Sequence, residues 1–517
     1  MAESPTRRRF IPTITGNRWG VFGLGFVLTL LPMLLWNLAS PIGSSPDEPT
    51  HLVRAAAVAR GQVFTQPWDG NRRMSEAKVP EYVDTWILGV SCYAFRPNVP
   101  ASCVPPITGD PDRIVETGHT AAANSPVFYA VTGLPSLFLD GSKALYAMRG
   151  MNSLMCATMF GFIFMALSQL ARPRWAYFAA FVAATPMVFY LGGTLNPNGI
   201  EAISAGALLS GLVVVGSRMI RGARLIELLG GIVLSTVLLT ATRNISLLWV
   251  LMVVVTALLL SRRAILKRLV RLPSVWVAIG LAALACILEF LYYIHPSLTA
   301  QPQQFNGAGT TFRDGFTYMI QHTFDYGIGW IGFFGWVDTP APSFTLIVWA
   351  SLMLGTVVAA LAIGIGARRW SLILLVAALV LVPAIAQAAV ITRAGFIWQG
   401  RYTLAIVITL LLAAGIVLDR SGYGIPAVPL RRVATMAVWF MAFGHFFAFA
   451  VTIKRYVVGD AVYLPVLLLH PKWQPPGTWI VLCAAFIVVI VGASIVAVKA
   501  LKGVDRRFLP QTVALSR

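Results

Sequence analysis

In the segment S-S-P-D-E-P-T-H-L-V-R-A-A-A-V-A-R-G, residues 44–61, two adjacent carboxylates, Asp47 and Glu48, precede His51 and Arg54. Ser45 or Asp47 suits the cap of a helix, Pro49 its first turn and Gly61 its end. On that helix Asp47, His51 and Arg54 follow at steps of four and three, so they share one face. Such a set can accept a proton from an incoming hydroxyl, or hold a divalent cation (Mg or Mn) between Asp47 and His51. The plain alternative is a helix cap at Asp47 and a solvated first-turn acid at Glu48, both favoured by the helix dipole.

A second group could meet an anion. Arg401 lies in R-A-G-F-I-W-Q-G-R-Y with Arg393, Gln399 and Tyr402, and Arg243 stands with Asn244 between two apolar runs. A guanidinium at the mouth of a helical bundle can hold a phosphate through its planar fork, or simply snorkel to headgroups. Asn124 in N-S-P-V-F-Y, and Asn196 and Asn198 in L-N-P-N-G-I-E, offer amides, although Asn-Pro and Asn-Gly steps make turns unaided. The run G-I-G-W-I-G-F-F-G-W-V-D-T-P, residues 327–340, brings Trp330, Trp336 and Asp338, as a sugar or lipid groove or as interfacial anchors. Glu289, near the end of an apolar run, is either a functional acid or an interface-facing one.

Membrane helices must position these groups. Of 517 residues 57% are hydrophobic and 12% charged, about half the charge of a soluble protein. Apolar runs reach the roughly 18–20 residues that cross a bilayer, where only helices satisfy their own backbone. The pattern predicts an all-α polytopic membrane protein of about 12 transmembrane helices, near 21–39, 148–170, 176–193, 200–217, 225–241, 245–260, 275–294, 344–366, 372–391, 404–418, 433–451 and 480–498. The first is read as an uncleaved anchor.

With the N-terminus (1–20) placed in the cytoplasm, Arg7, Arg8, Arg9, Arg172, Arg174, Arg262, Arg263, Lys267, Arg268, Arg368, Arg369 and the 499–517 tail with Arg506 and Arg507 all fall inside. By count about 24 of the 40 basic residues lie there, against about 4 of the 20 acidic ones. The net charge of +20 is thus a topology signal, and no nucleic-acid partner is needed to explain it. Spans at 21–39, 148–294 and 344–498 leave extracytoplasmic loops at 40–147 and 295–343. The first is too long to lack structure and is expected to carry interfacial helices and function. Cys92 and Cys103 share it, where oxidising conditions permit a disulfide. Cys156, Cys286 and Cys483 fall in spans and are expected only to pack. No Walker loop, dinucleotide fingerprint, H-E-x-x-H or G-x-S-x-G is present.

Taken together, P-D-E-P-T-H-L-V-R-A with Gly61, N-S-P-V-F-Y-A, L-N-P-N-G, G-W-I-G-F-F-G-W-V-D-T and W-Q-G-R-Y resemble, in order, a bacterial membrane-protein family known as domain of unknown function 2142. That family resembles the GT-C glycosyltransferases, multi-helix enzymes that take sugar from a polyprenyl-phosphate carrier on the outer face. The resemblance implies a GT-C-like fold with Asp47–Glu48 at the place of an acidic pair in the first outer loop. Asn196 and Asn198 stand where relatives often show Asn-Pro-Asp, so an acid is missing from that turn.

The implied function is transfer of a sugar from a polyprenyl-phosphate donor to a glycan, lipid or protein acceptor at the envelope. Asp47 or Glu48 would take the acceptor's proton, while Arg401 and then Arg243 balance the leaving phosphate. His51, Arg54, Asn124, Asn196, Trp336, Asp338, Gln399 and Tyr402 would contact substrate. The rival readings are a transporter or flippase for lipid-linked glycans, which predicts polar residues along a path through the membrane, and a non-catalytic scaffold among membrane lipids.

Overall fold

A computed structural model describes residues 17–171, 173–295, 305–421 and 427–506. Arg7, Arg8, Arg9, Arg172 and Arg507 lie outside them. Ten helices are long and apolar enough to cross a membrane, and two bent pairs bring the total to twelve. The long helices are α1 (Arg18–Ala39), α4 (Gly141–Leu167), α7 (Pro197–Val215), α8 (Ala223–Thr240), α11 (Pro273–Tyr293), α13 (Ser343–Ile363), α14 (Ala367–Ala394), α15 (Leu404–Arg420), α16 (Ala427–Val458) and α17 (Trp479–Arg506). Shorter ones that matter here are α2 (Glu48–Ala59), α3 (Pro126–Gly133) and α12 (Phe312–His322). The bent pairs are α5 (Arg174–Ala183) with α6 (Pro186–Gly193), at 60°, and α9 (Ser246–Leu260) with α10 (Arg263–Leu269), at 116°. Each of the twelve expected spans meets one of these helices or pairs.

The α5–α6 break has a local cause. Pro186 has no N–H to continue the helix, and the Thr185 side chain caps the new start by accepting from the Val188 amide at 3.2 Å. α7 and α15 form the centre and are almost wholly buried, whereas α11 turns most of its surface outward. Small residues let the central helices close up: a Cβ on Gly206 of α7 would stand 2.6 Å from Ile408 of α15. α1 packs on α4, α4 on α7, and α16 on α17. Exposed Leu281, Leu284, Ile287 and Leu288 on α11 suit lipid rather than water.

The segment between α1 and α4 is folded, and not wholly helical. It holds α2, α3 and an antiparallel sheet of order β1–β2–β3 (Pro67–Trp68, Asn71–Pro80, Ile114–His119), with Ser75 opposite His119 and Pro80 opposite Ile114. α2 packs on α3 and on the sheet. Cys92 and Cys103 are joined in a disulfide. A two-stranded ribbon, β4 (Phe333–Phe334) with β5 (Thr339–Pro340), forms the turn before α13.

Candidate functional site

The site is built on a buried ion pair. Glu48 opens α2, and its two oxygens accept from Nε and Nη2 of Arg149 on α4 at 2.7 and 2.6 Å. They also accept from the amides of Leu195, at 2.7 Å, and Ser45, at 3.3 Å. Arg149 in turn donates to the carbonyls of Asn37, Ser40 and Pro41, at the C-terminal end of α1 where the helix leaves carbonyls unpaired. Neither side chain is exposed. Glu48 is therefore not a solvated first-turn acid: it pins α2 to α1, α4 and the turn before α7.

Its neighbour goes the other way. Asp47 sits at the cap position with φ of 63°, in the left-handed region that Asp tolerates better than most residues, and its side chain makes no capping bond. Its carboxylate accepts instead from Nη2 of Arg401 at 3.0 Å, with the Asp47 side chain 49% exposed and Arg401 buried. Nη1 of Arg401 is bonded to the Gln399 side-chain oxygen. The Tyr402 ring lies between two guanidinia, 5.1 Å from Arg401 and 4.4 Å from Arg243. Arg243 donates to Glu201 on α7 at 2.7 Å, and Glu201 accepts further from Ser246 and Trp249. Nε of Arg401 and Nε of Arg243 are both buried without a partner. The open end of this cluster thus offers one half-exposed carboxylate backed by two buried or largely buried guanidinia.

His51, on the face of α2 that carries Asp47, bonds through Nδ1 to the Tyr129 hydroxyl at 2.7 Å, which also takes Asn124 Nδ2 at 3.0 Å. Burial pushes the His51 imidazole down to about 4; Asp47 pulls it up, and Arg401 pushes it down again. Arg54 is turned inward, donating to the carbonyls of Gln62 and Val63 and to the Tyr292 hydroxyl. It holds the end of α2 against α11. Asn196 caps α7 through Asn198 and donates to the Pro46 carbonyl at 3.1 Å, bracing the backbone before Asp47. Among the described residues no three His, Cys, Asp or Glu side chains come together as a metal site. Asp47 faces Arg401 and His51 Nδ1 is occupied, so the pair does not fit the oxygen-rich shell that Mg or Mn requires.

Trp336 and Asp338 belong to a second buried assembly. Asp338 accepts from Arg455 of α16 at 2.8 Å, and Arg455 also donates to the carbonyls of Tyr93, Arg96 and Val99 inside the disulfide loop. Trp336 donates to the Gly43 carbonyl at 3.0 Å, just before Asp47 in the chain. Trp330 is held by Thr403 at 2.8 Å. The sequence reading missed Arg149, Glu201 and Arg455 as partners. For Arg149 and Glu201, inside the expected spans 148–170 and 200–217, the signal was present, because a charge within an apolar run is costly and demands a counter-charge. Glu289 accepts from Ser125, the cap of α3, at 2.7 Å, and its other oxygen is buried without a partner.

The family described as "Predicted membrane protein (DUF2142)" matches residues 30–410. No curated protein matches the chain. Among solved structures, ArnT from Cupriavidus metallidurans in the apo state is similar with a TM-score of 0.46 at 13% identity, over 92% of this chain and 76% of that one. ArnT from the same organism bound to undecaprenyl phosphate is similar with a TM-score of 0.43 at 13% identity, over 92% and 75%.

Proposed function

The chain belongs to the DUF2142 family of multi-pass membrane proteins, and from that premise we propose that it is a GT-C-type glycosyltransferase. It moves a sugar from a polyprenyl-phosphate donor to an envelope glycan, lipid or protein acceptor on the extracytoplasmic face. The observation that carries this reading is the Asp47–Arg401 pair, a half-exposed carboxylate 3.0 Å from a buried guanidinium. The excess of arginine at the ends of the spans remote from Asp47 supports the orientation, with both termini cytoplasmic.

Asp47 accepts the proton of the acceptor hydroxyl as that oxygen attacks the anomeric carbon. The bond from that carbon to the phosphate oxygen breaks, the polyprenyl phosphate leaves with the electron pair, and direct displacement inverts the centre. Arg401 and Arg243 balance the growing charge on the phosphate. Gln399 and Tyr402 hold the Arg401 guanidinium in place. Glu48, with both oxygens occupied, serves as a positioning residue and leaves the base role to Asp47.

The test is transfer of labelled sugar by purified protein from a panel of polyprenyl-phosphate sugars. Asp47→Asn, folded as the wild type, loses at least about a hundredfold in rate, equivalent to roughly 2.7 kcal/mol of barrier. If no donor is used while lipid-linked glycan binds equally to wild type and variant, the chain is a transporter or scaffold instead.

A further inference from the structure

The hydrogen bonds around Tyr129 decide which nitrogen of His51 carries its proton. Tyr129 is fully buried, and its hydroxyl has two partners, Asn124 Nδ2 and His51 Nδ1. An amide nitrogen only donates, so Asn124 occupies a lone pair of the Tyr129 oxygen. The Tyr129 proton then has one acceptor in place, His51 Nδ1. With that nitrogen protonated instead, a buried hydroxyl proton would be stranded, which native structures rarely tolerate. Nδ1 is therefore the acceptor, and in the neutral ring the proton resides on Nε2. The two ring planes are inclined by only 24° with centroids 5.9 Å apart, so the hydroxyl bond joins them nearly end to end and orients the imidazole. Nε2 has no partner among the described residues, and His51 keeps 6% of its surface exposed.

We propose that His51 presents a fixed Nε2–H donor to a neutral oxygen of the bound glycosyl or acceptor group beside Asp47, with Tyr129 and Asn124 as its positioning residues. The identity of the ligand rests on the transferase reading above. An N–H one helical turn from a carboxylate suits a hydroxyl or ether oxygen, because a second anion there would be repelled by Asp47. The same assignment leaves His51 without a free lone pair for a metal.

The chain has 6 histidines, few enough to resolve by 15N labelling of the full-length protein in lipid nanodiscs. The His51 signal, identified by its loss in His51→Gln, is expected in the neutral, Nε2-protonated form near neutral pH, and Tyr129→Phe is expected to mix the two tautomers. An Nδ1-protonated ring in the wild type, or selective broadening of that signal by equimolar Mn2+, would overturn the proposal. Function gives a second arm, since a glutamine amide nitrogen reaches the place of Nε2 and an asparagine one only that of Nδ1. With polyprenyl-phosphate sugars, His51→Asn should lower kcat/KM roughly tenfold and His51→Gln, which restores a donor at the place of Nε2, clearly less. Equal losses would sink the donor role. If the wild type transfers no sugar at all, the transferase reading fails, and the tautomer spectrum still decides whether Tyr129 fixes the proton on Nε2.

Discussion

Glu48 and Arg149 meet through two parallel hydrogen bonds, at 2.7 and 2.6 Å, with neither side chain reaching solvent. Removing one member strands the other charge, at a cost of about 3–5 kcal/mol. Glu48→Gln and Arg149→Met should each lower the unfolding temperature in detergent, and the combination Glu48→Leu with Arg149→Met should recover part of the loss. A double variant no more stable than either single one would show that the pair does not act as a unit.

Arg401 is held differently, and its substitution should separate binding from stability. Its partner Asp47 is half exposed, so solvent screens the pair and it contributes less to folding than the fully buried Glu48–Arg149 pair. Arg401→Lys keeps the charge but loses the planar fork and the stacking on Tyr402. The expected result is an unchanged unfolding temperature with KM for the donor raised roughly tenfold. A large drop in thermal stability would instead mark Arg401 as structural.

The fold was legible where the physics is local. Hydropathy locates the spans because a bilayer forces each segment to satisfy its own backbone. The chain's outlying motifs, near Asp47 and near Arg401, were also recognisable as polar groups at one membrane face. Their pairings were not legible, because Glu48 with Arg149, Glu201 with Arg243 and Asp338 with Arg455 depend on how helices pack across 101, 42 and 117 residues of chain. Arg149 lies at the start of the expected span 148–170, and nothing local shows that it gathers the end of α1. The strand Asn71–Pro80, N-R-R-M-S-E-A-K-V-P, lacks the apolar alternation that would announce it.

The disulfide closes a short loop, Cys92 and Cys103 being 11 apart. In the chain-entropy account such a loop contributes about 2.7 kcal/mol. Cys92→Ser with Cys103→Ser should lower stability by about that amount, measured by denaturation with and without reductant. Wild type insensitive to reductant in the unfolding transition would contradict the expectation.

Stability should also fall in mild acid. The folded pKa of His51 is depressed to about 4 and that of His119 to about 3, each chiefly by burial. Unfolded histidines bind protons near 6.5. Their stabilising contribution is thus complete above about pH 6.5 and is lost progressively as pH falls towards the folded values. Unfolding temperatures measured from neutral pH down to about 4.5 should decline, and His51→Gln with His119→Gln should flatten the slope. An identical slope in that variant would assign the acid sensitivity elsewhere.

Asp47 and Arg401 are 354 residues apart in the chain, whereas Glu48 and Arg149 are separated by 101. At translation rates of about 5–20 residues per second, roughly 5–20 s pass before the inner pair can form and roughly 20–70 s before the outer one can. During biogenesis the Glu48–Arg149 pair can therefore form while the ribosome is still making the central helices, and Leu195 and Tyr292 add their contacts to α2 before α15 is made. The carboxylate waits in place without its cation, and a nascent chain halted before α15 carries a folded platform but no finished site.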